Sequence, residues 1–168
     1  EFHPNGQLFQ RGRYVMGLPI GRWLAWHPNG QPLSAGDYGP DGQVGVWTRW
    51  YDDGTKEFEG PWKAGTEHGH WKRWWRNGAL RAEGDYVEGQ QDGVWISWHA
   101  TGQKDTEAIF RGGQLSGRFR SWFSSGQLQA DGFYVLGMRQ GIWSFWNEDG
   151  TPNEGDSGFY KDNRKVKR

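Results

Sequence analysis

The chain has 168 residues, 20 basic and 20 acidic side chains and no Cys, so it is a neutral, domain-sized object without disulfides, and thiol catalysis and thiolate zinc sites are excluded. It contains no apolar run of about 20 residues that could cross a bilayer as a helix. Leu, Ile, Val and Phe supply only about one residue in six, while Trp, Tyr and Phe make up 17% of the chain, so a core of stacked rings is expected in place of a thick aliphatic one.

In chain order, Glu1-Phe2-His3-Pro4-Asn5-Gly6 aligns with Ala25-Trp26-His27-Pro28-Asn29-Gly30. The sequence therefore starts inside a repeating unit and reads as a fragment or processed product. From there a period of 24 runs without insertion through Gly6, Gly30, Gly54, Gly78, Gly102, Gly126 and Gly150, and through Gly21, Gly45, Gly69, Gly93, Gly117 and Gly141. Two residues after the second ladder stand Trp23, Trp47, Trp71, Trp95, Phe119 and Trp143. Three further on stand Trp26, Trp50, Trp74, Trp98, Trp122 and Trp146, so that this frame holds 11 of the 13 Trp. A third frame, Gly12, Gly36, Gly60, Gly84 and Gly132, is followed by Tyr14, Tyr38, Trp62, Tyr86 and Tyr134, with Ala108 and Phe110 in the remaining unit.

Each unit reads as two short aromatic-rich strands around a glycine turn, which is a β-hairpin pattern. Pro-Asn before Gly6 and Gly30 favours a type I turn with the glycine as a bulge residue, and a two-residue type I′ turn is the alternative. Under the two-residue turn Trp23 lies opposite Gly36 and Gly21 opposite Tyr38, so each ring would cover a cross-strand glycine. Under the bulged turn the partners slip by one unless a second irregularity restores them, and the recurrent ring-to-glycine match points to such a correction. Trp23 and Trp26 are three apart, so either both faces carry an aromatic ladder or a bulge brings the two together.

The expected fold is all-β: an elongated single-layer antiparallel meander of 24-residue hairpin repeats, about six to seven units over residues 1–158. Periodicity fades after Gly150, and 159–168 reads as a basic tail with Lys161, Arg164, Lys165, Lys167 and Arg168. A solvated terminus is the plain reading of that tail, against a tether to an acidic partner, lipid or nucleic acid.

The motif G-x-W-x-x-W-x-x-N-G followed by G-x-Y-x-x-G resembles MORN repeats, in particular the bacterial variant of the family, some members of which carry a toxin-antitoxin label. The resemblance runs from Phe2 to about Gly158 and implies a non-catalytic scaffold, a role linked in this family to membrane or phosphoinositide contact. Trp stands here where Tyr is commoner in the family, which enlarges the aromatic surface.

No nucleophile elbow, phosphate-binding glycine loop or zinc-protease motif is present. His3, His27 and His99 share one repeat frame and follow from duplication, while His68 and His70 could share a strand face but lack a third ligand. Asp41, Asp52, Asp53, Asp92 and Asp149 fall at turns, where Asp and Asn bond locally. No catalytic residue, metal or cofactor is therefore expected. The leading function is a rigid scaffold docking on a partner protein or larger assembly through an aromatic face or a strand edge, with Tyr51, Trp62, Trp75 and Phe123 as candidate partner-binding residues. A glycan or cell-wall module built on the aromatic ladder is the alternative. Membrane or phosphoinositide contact comes third, and nucleic-acid binding is disfavoured because no basic stripe runs through the repeat frames.

Overall fold

The structure, a computed structural model, describes residues 1–167. The strands are β1 (Gln10–Val15), β2 (Leu18–Trp26), β3 (Pro32–Gly39), β4 (Gly42–Trp50), β5 (Lys56–Lys63), β6 (Thr66–Glu67), β7 (Gly69–Trp74) and β8 (Leu80–Val87). They continue as β9 (Gln90–Trp98), β10 (Lys104–Arg111), β11 (Gln114–Trp122), β12 (Leu128–Val135), β13 (Met138–Phe145), β14 (Gly158–Lys161) and β15 (Arg164–Val166). All belong to one open antiparallel sheet in meander order, with the short β6 paired to β5 beside the main path. The chain divides into two compact units, Glu1–Leu80 with Tyr86–Gly89, and Arg81–Asp85 with the chain from Gln90 onward.

The Asn-Gly turns are bulged type I turns. Gly30 N donates to His27 O at 2.9 Å and His27 N to Gln31 O at 2.8 Å, while Gly30 alone of the central residues takes a positive φ, 83°. That turn pairs Trp26 with Pro32, one residue out of step. A bulge at Leu33 then corrects the slip, because Ala25 pairs with Ser34, Trp23 with Gly36 and Gly21 with Tyr38. The same correction follows Trp50 and Trp122. The bulged turn and the ring-to-glycine register thus coexist. Since the extra residue sits on the partner strand, β2 itself alternates regularly from Trp23 to Trp26, and the two Trp frames lie on opposite faces.

The returns between hairpins are mostly two-residue type I′ turns, which need a positive φ at both positions. Ala64 and Gly65 have φ of 48° and 77°, and Leu136 and Gly137 of 49° and 76°. Four of these turns hydrogen-bond the preceding hairpin through a glycine amide: Gly65 N reaches Gln43 O at 3.0 Å and Gly89 N reaches Glu67 O at 2.9 Å in the first unit. In the second unit Gly113 N reaches Gln91 O at 2.9 Å and Gly137 N reaches Leu115 O at 2.8 Å. The turn at Pro40-Asp41 departs from this series, since proline cannot adopt a positive φ.

The segment set apart by sequence as a basic tail contains β14 and β15. There Trp143 pairs with Gly158 and Gly141 with Tyr160, the pairing that Trp23 and Gly21 make in the first unit. Asp162 and Asn163 take φ of 50° and 66° in the closing turn, with asparagine in the place of glycine. The frame returns two residues late, which is why a strict period of 24 loses it after Gly150. Arg168 lies outside the described residues.

Candidate functional site

The aromatic frames build the interior of each unit. Trp23, Trp47 and Trp71 in the first unit and Trp95 and Trp143 in the second are all less than a tenth exposed, Trp71 and Trp143 only 1%. Their rings lie on the glycine of the strand before them. A methyl group built on Gly36 would meet Trp47 ring atoms at 2.0 Å, on Gly60 those of Trp71 at 2.2 Å and on Gly132 those of Trp143 at 2.1 Å. The sequence expectation placed each ring over its registered cross-strand partner, Trp23 over Gly36. The register is as expected, but the indole leans the other way: Trp23 covers Gly12, and Gly36 is covered by Trp47.

The Trp23 indole nitrogen is enclosed without a partner, but in the other four the lean carries a hydrogen bond. The indole N–H of Trp47 donates to Asp37 O at 3.1 Å, that of Trp71 to Pro61 O at 3.0 Å, that of Trp95 to Asp85 O at 3.0 Å and that of Trp143 to Phe133 O at 3.1 Å. Each acceptor is the carbonyl just after the covered glycine, so a single ring fills the glycine gap and satisfies its own donor. The Tyr frame completes the stack through edge contacts, Tyr38 with Trp47 at 5.1 Å between centroids and Tyr134 with Trp143 at 4.9 Å.

On the opposite face, the second Trp frame carries cations. Lys56 Nζ lies 5.5 Å above the Trp74 ring, and Lys104 Nζ 5.2 Å and the Arg120 guanidinium 5.7 Å from that of Trp122. Lys56 and Lys104 also bond Glu59 and Glu107, whose carboxyls are held below the usual range, first by those lysine hydrogen bonds. Arg120 adds to the depression at Glu107.

The residue after that Trp links successive hairpins. The ring Nε2 of His3 bonds Trp26 O at 2.7 Å, that of His27 bonds Trp50 O at 2.9 Å and that of His99 bonds Trp122 O at 2.9 Å. Tyr51 plays the same part with its hydroxyl, which donates to Trp74 O at 3.0 Å. The turns are linked as well: Asn5 Nδ2 reaches Pro28 O at 2.8 Å and Asn29 Nδ2 reaches Asp52 O at 2.6 Å. Asp53 has no such donor, and Arg76 instead joins Asp52 and Asp53 from the neighbouring turn. Both carboxyls lie below their ordinary range, Asp52 chiefly through the Arg76 hydrogen bond and Asp53 chiefly through the amide of Thr55.

The four candidate partner-binding residues are all half-buried. Besides its bond to Trp74 O, Tyr51 lies under the Arg76 guanidinium at 4.8 Å. Trp62 stands in the Tyr frame, edge-on to Trp71 at 5.5 Å, with its indole nitrogen enclosed and unbonded. The backbone amides of Trp75 and Phe123 close turns, each at 2.8 Å to Ala79 O and Gln127 O. Tyr51, Trp62 and Trp75 belong to the first unit and Phe123 to the second.

One constellation was not singled out by sequence. Ser97 Oγ donates to Asp105 Oδ2 at 2.9 Å, and Asp105 Oδ1 stands 3.5 Å from His99 Nε2. A nucleophile needs its hydroxyl on the base, whereas here the carboxylate separates the two and the ring nitrogen is bonded to Trp122 O. Around His68 and His70 no third ligand gathers among the described residues.

Exposed apolar side chains collect at the turn that departs from the series. Val15, Met16, Leu18 and Ile20 from the first hairpin and Tyr38 and Pro40 from the next line an open hollow of about 440 Å³. Met16 is 98% exposed and Leu18 60%.

Residues 43–64 and 67–88 match the MORN repeat variant family. These two adjacent segments are thus matched as MORN repeats, and their glycine and tryptophan frame recurs along the rest of the sequence. No curated protein matches the chain. MORN repeats are commonly found in scaffolds that bind proteins or membranes, and the family is generally non-catalytic.

Proposed function

We propose that this array of MORN repeats is a non-catalytic scaffold that holds a partner protein, with contact centred on the hollow between the first two hairpins. The observation that carries the reading is the apolar surface of Val15, Met16 and Leu18 beside Pro40, where the regular turn contact is missing. Contiguous exposed apolar surface of this kind marks interaction sites in soluble proteins. Tyr51 and Trp62 are engaged inside the array, so their replacement is expected to act first on stability and only through it on binding.

Two features weigh against a glycan-stacking surface. The Trp23 frame is buried, and cations occupy ring faces of Trp74 and Trp122 in the other frame. Sugar stacking requires a free ring face.

A photo-reactive side chain at position 16, in the chain expressed in its own host, tests the reading by mass spectrometry of the adducts. One recurring protein adduct that disappears when Leu18→Lys is added is the expected result. Lipid adducts alone, or no recurring species, would overturn it.

A further inference from the structure

We infer that the first unit holds a carboxylate-binding site at Arg73, on the face that carries Trp71. It stands apart from the apolar hollow and does not depend on the scaffold reading.

The inference starts from a frame in which neighbouring side chains satisfy each other. Arg49 Nε meets Glu57 Oε2 at 2.9 Å. In the same frame Ser97 donates to Asp105 at 2.9 Å, and Ser121 donates to Gln129 at 3.2 Å. Arg73 lacks the acid that Arg49 has at this place, because the chain has Arg81 at the position 24 residues after Glu57. Among the described residues its side chain makes one hydrogen bond, from Nη2 to the Tyr86 hydroxyl at 3.1 Å. Nε is enclosed without a partner, as is Nε of Arg120. The difference is that Arg120 has Glu107 as counter-ion, whereas Arg73 has none among the described residues.

The surroundings fix the guanidinium. Phe58 is the registered neighbour of both Arg49 and Arg73, and its ring packs on Trp71 at 5.4 Å between centroids. Tyr86 also lies edge-on to Trp71, at 5.6 Å. Arg73 is therefore a half-buried cation held beside rings by a neutral hydroxyl. A guanidinium in that state is under-solvated and lacks a charge partner, and its planar fork matches a carboxylate in shape. One cation fits a singly charged ligand. A dianionic phosphate would bring twice the charge. The class of ligand is an acidic side chain or chain terminus with an apolar group beside it to lie against Phe58.

The test follows the arginine Nε–H signals of the unmodified protein by nuclear magnetic resonance while acetate is added, with inorganic phosphate in a parallel series. Arg73→Lys assigns the signal, and Arg49, already paired, is the internal control. The Arg73 signal is expected to move saturably with acetate at a concentration at least about tenfold below that needed at Arg49, as one charge-assisted bond implies. Tyr86→Phe should weaken the acetate response about fivefold, since it frees the guanidinium from its fixed position. Equal, non-saturating shifts at Arg73 and Arg49 would overturn the site. Saturation by phosphate without saturation by acetate would overturn the assignment to a carboxylate.

Discussion

The step from Gly60 to Trp71 and the step from Ala108 to Phe119 solve one packing problem in two ways. In the first, the indole rests on bare backbone, with ring atoms 2.2 Å from where a methyl group would stand, and its N–H bonds Pro61 O at 3.0 Å. In the second, the methyl group is present and 3% exposed, and the ring has shrunk to a half-buried phenyl with no polar atom. The bulge differs too. The glycine two residues before the ring has φ of 74° at Gly69 but 143° at Gly117, where an added methyl would meet Ile109 at 2.8 Å. Glycine and tryptophan therefore act as one unit of design: neither can be exchanged without the other.

The largest expected effect comes from removing the ring. Trp71→Ala should cost about 3 to 5 kcal/mol, as deletion of a fully buried aromatic does, whereas Phe119→Ala should cost less because its ring is smaller and more exposed. Chemical denaturation of both variants checks the order, and equal losses would break the comparison. Next comes the reverse fault, overpacking: Gly60→Ala forces a methyl group into the Trp71 ring and should cost about 1 to 3 kcal/mol. Phe119→Trp should cost a similar amount against Ala108 and regain much of it when Ala108→Gly is added.

A smaller loss, about 1 kcal/mol, is expected for Tyr51→Phe, which removes a single hydroxyl bond to Trp74 O while keeping the ring. A thermal midpoint unchanged by this variant would show that the links between hairpins contribute nothing to stability. The smallest effect is electrostatic and should be alike in the two steps. Glu59 precedes Gly60, Glu107 precedes Ala108, and each is depressed first by its lysine. A depressed carboxyl stabilises the fold above its unfolded pKa, and that contribution is lost as pH falls through the folded value. Glu59→Gln and Glu107→Gln should therefore lower stability at neutral pH and converge with the parent below about pH 4. Divergence between the two variants would mean that the charge pairs, and not only the rings, distinguish the steps.

Much of this was legible in the sequence. The three glycine frames and two Trp frames give the hairpin units, because positive φ and close ring approach both select glycine, while register and turn type stayed open between two alternatives. The direction of the ring was not legible, since Trp23 has a glycine on either side, at Gly12 and Gly36. The last hairpin was hidden by a two-residue insertion and by Asn163 standing in for glycine. The exposed patch at Met16 was not read from the sequence, although Pro40, which cannot take the positive φ of the other turns, marks its place.

The interlock of glycine and ring is tested most directly by the cycle of Gly60→Ala, Trp71→Phe and the double variant, with unfolding free energies measured for all. The double variant copies the Ala108 and Phe119 pair. It should be more stable than Gly60→Ala alone, so that the two changes compensate by at least about 1 kcal/mol, as expected for residues in contact. Strict additivity, with the double variant the least stable of the set, would contradict the account.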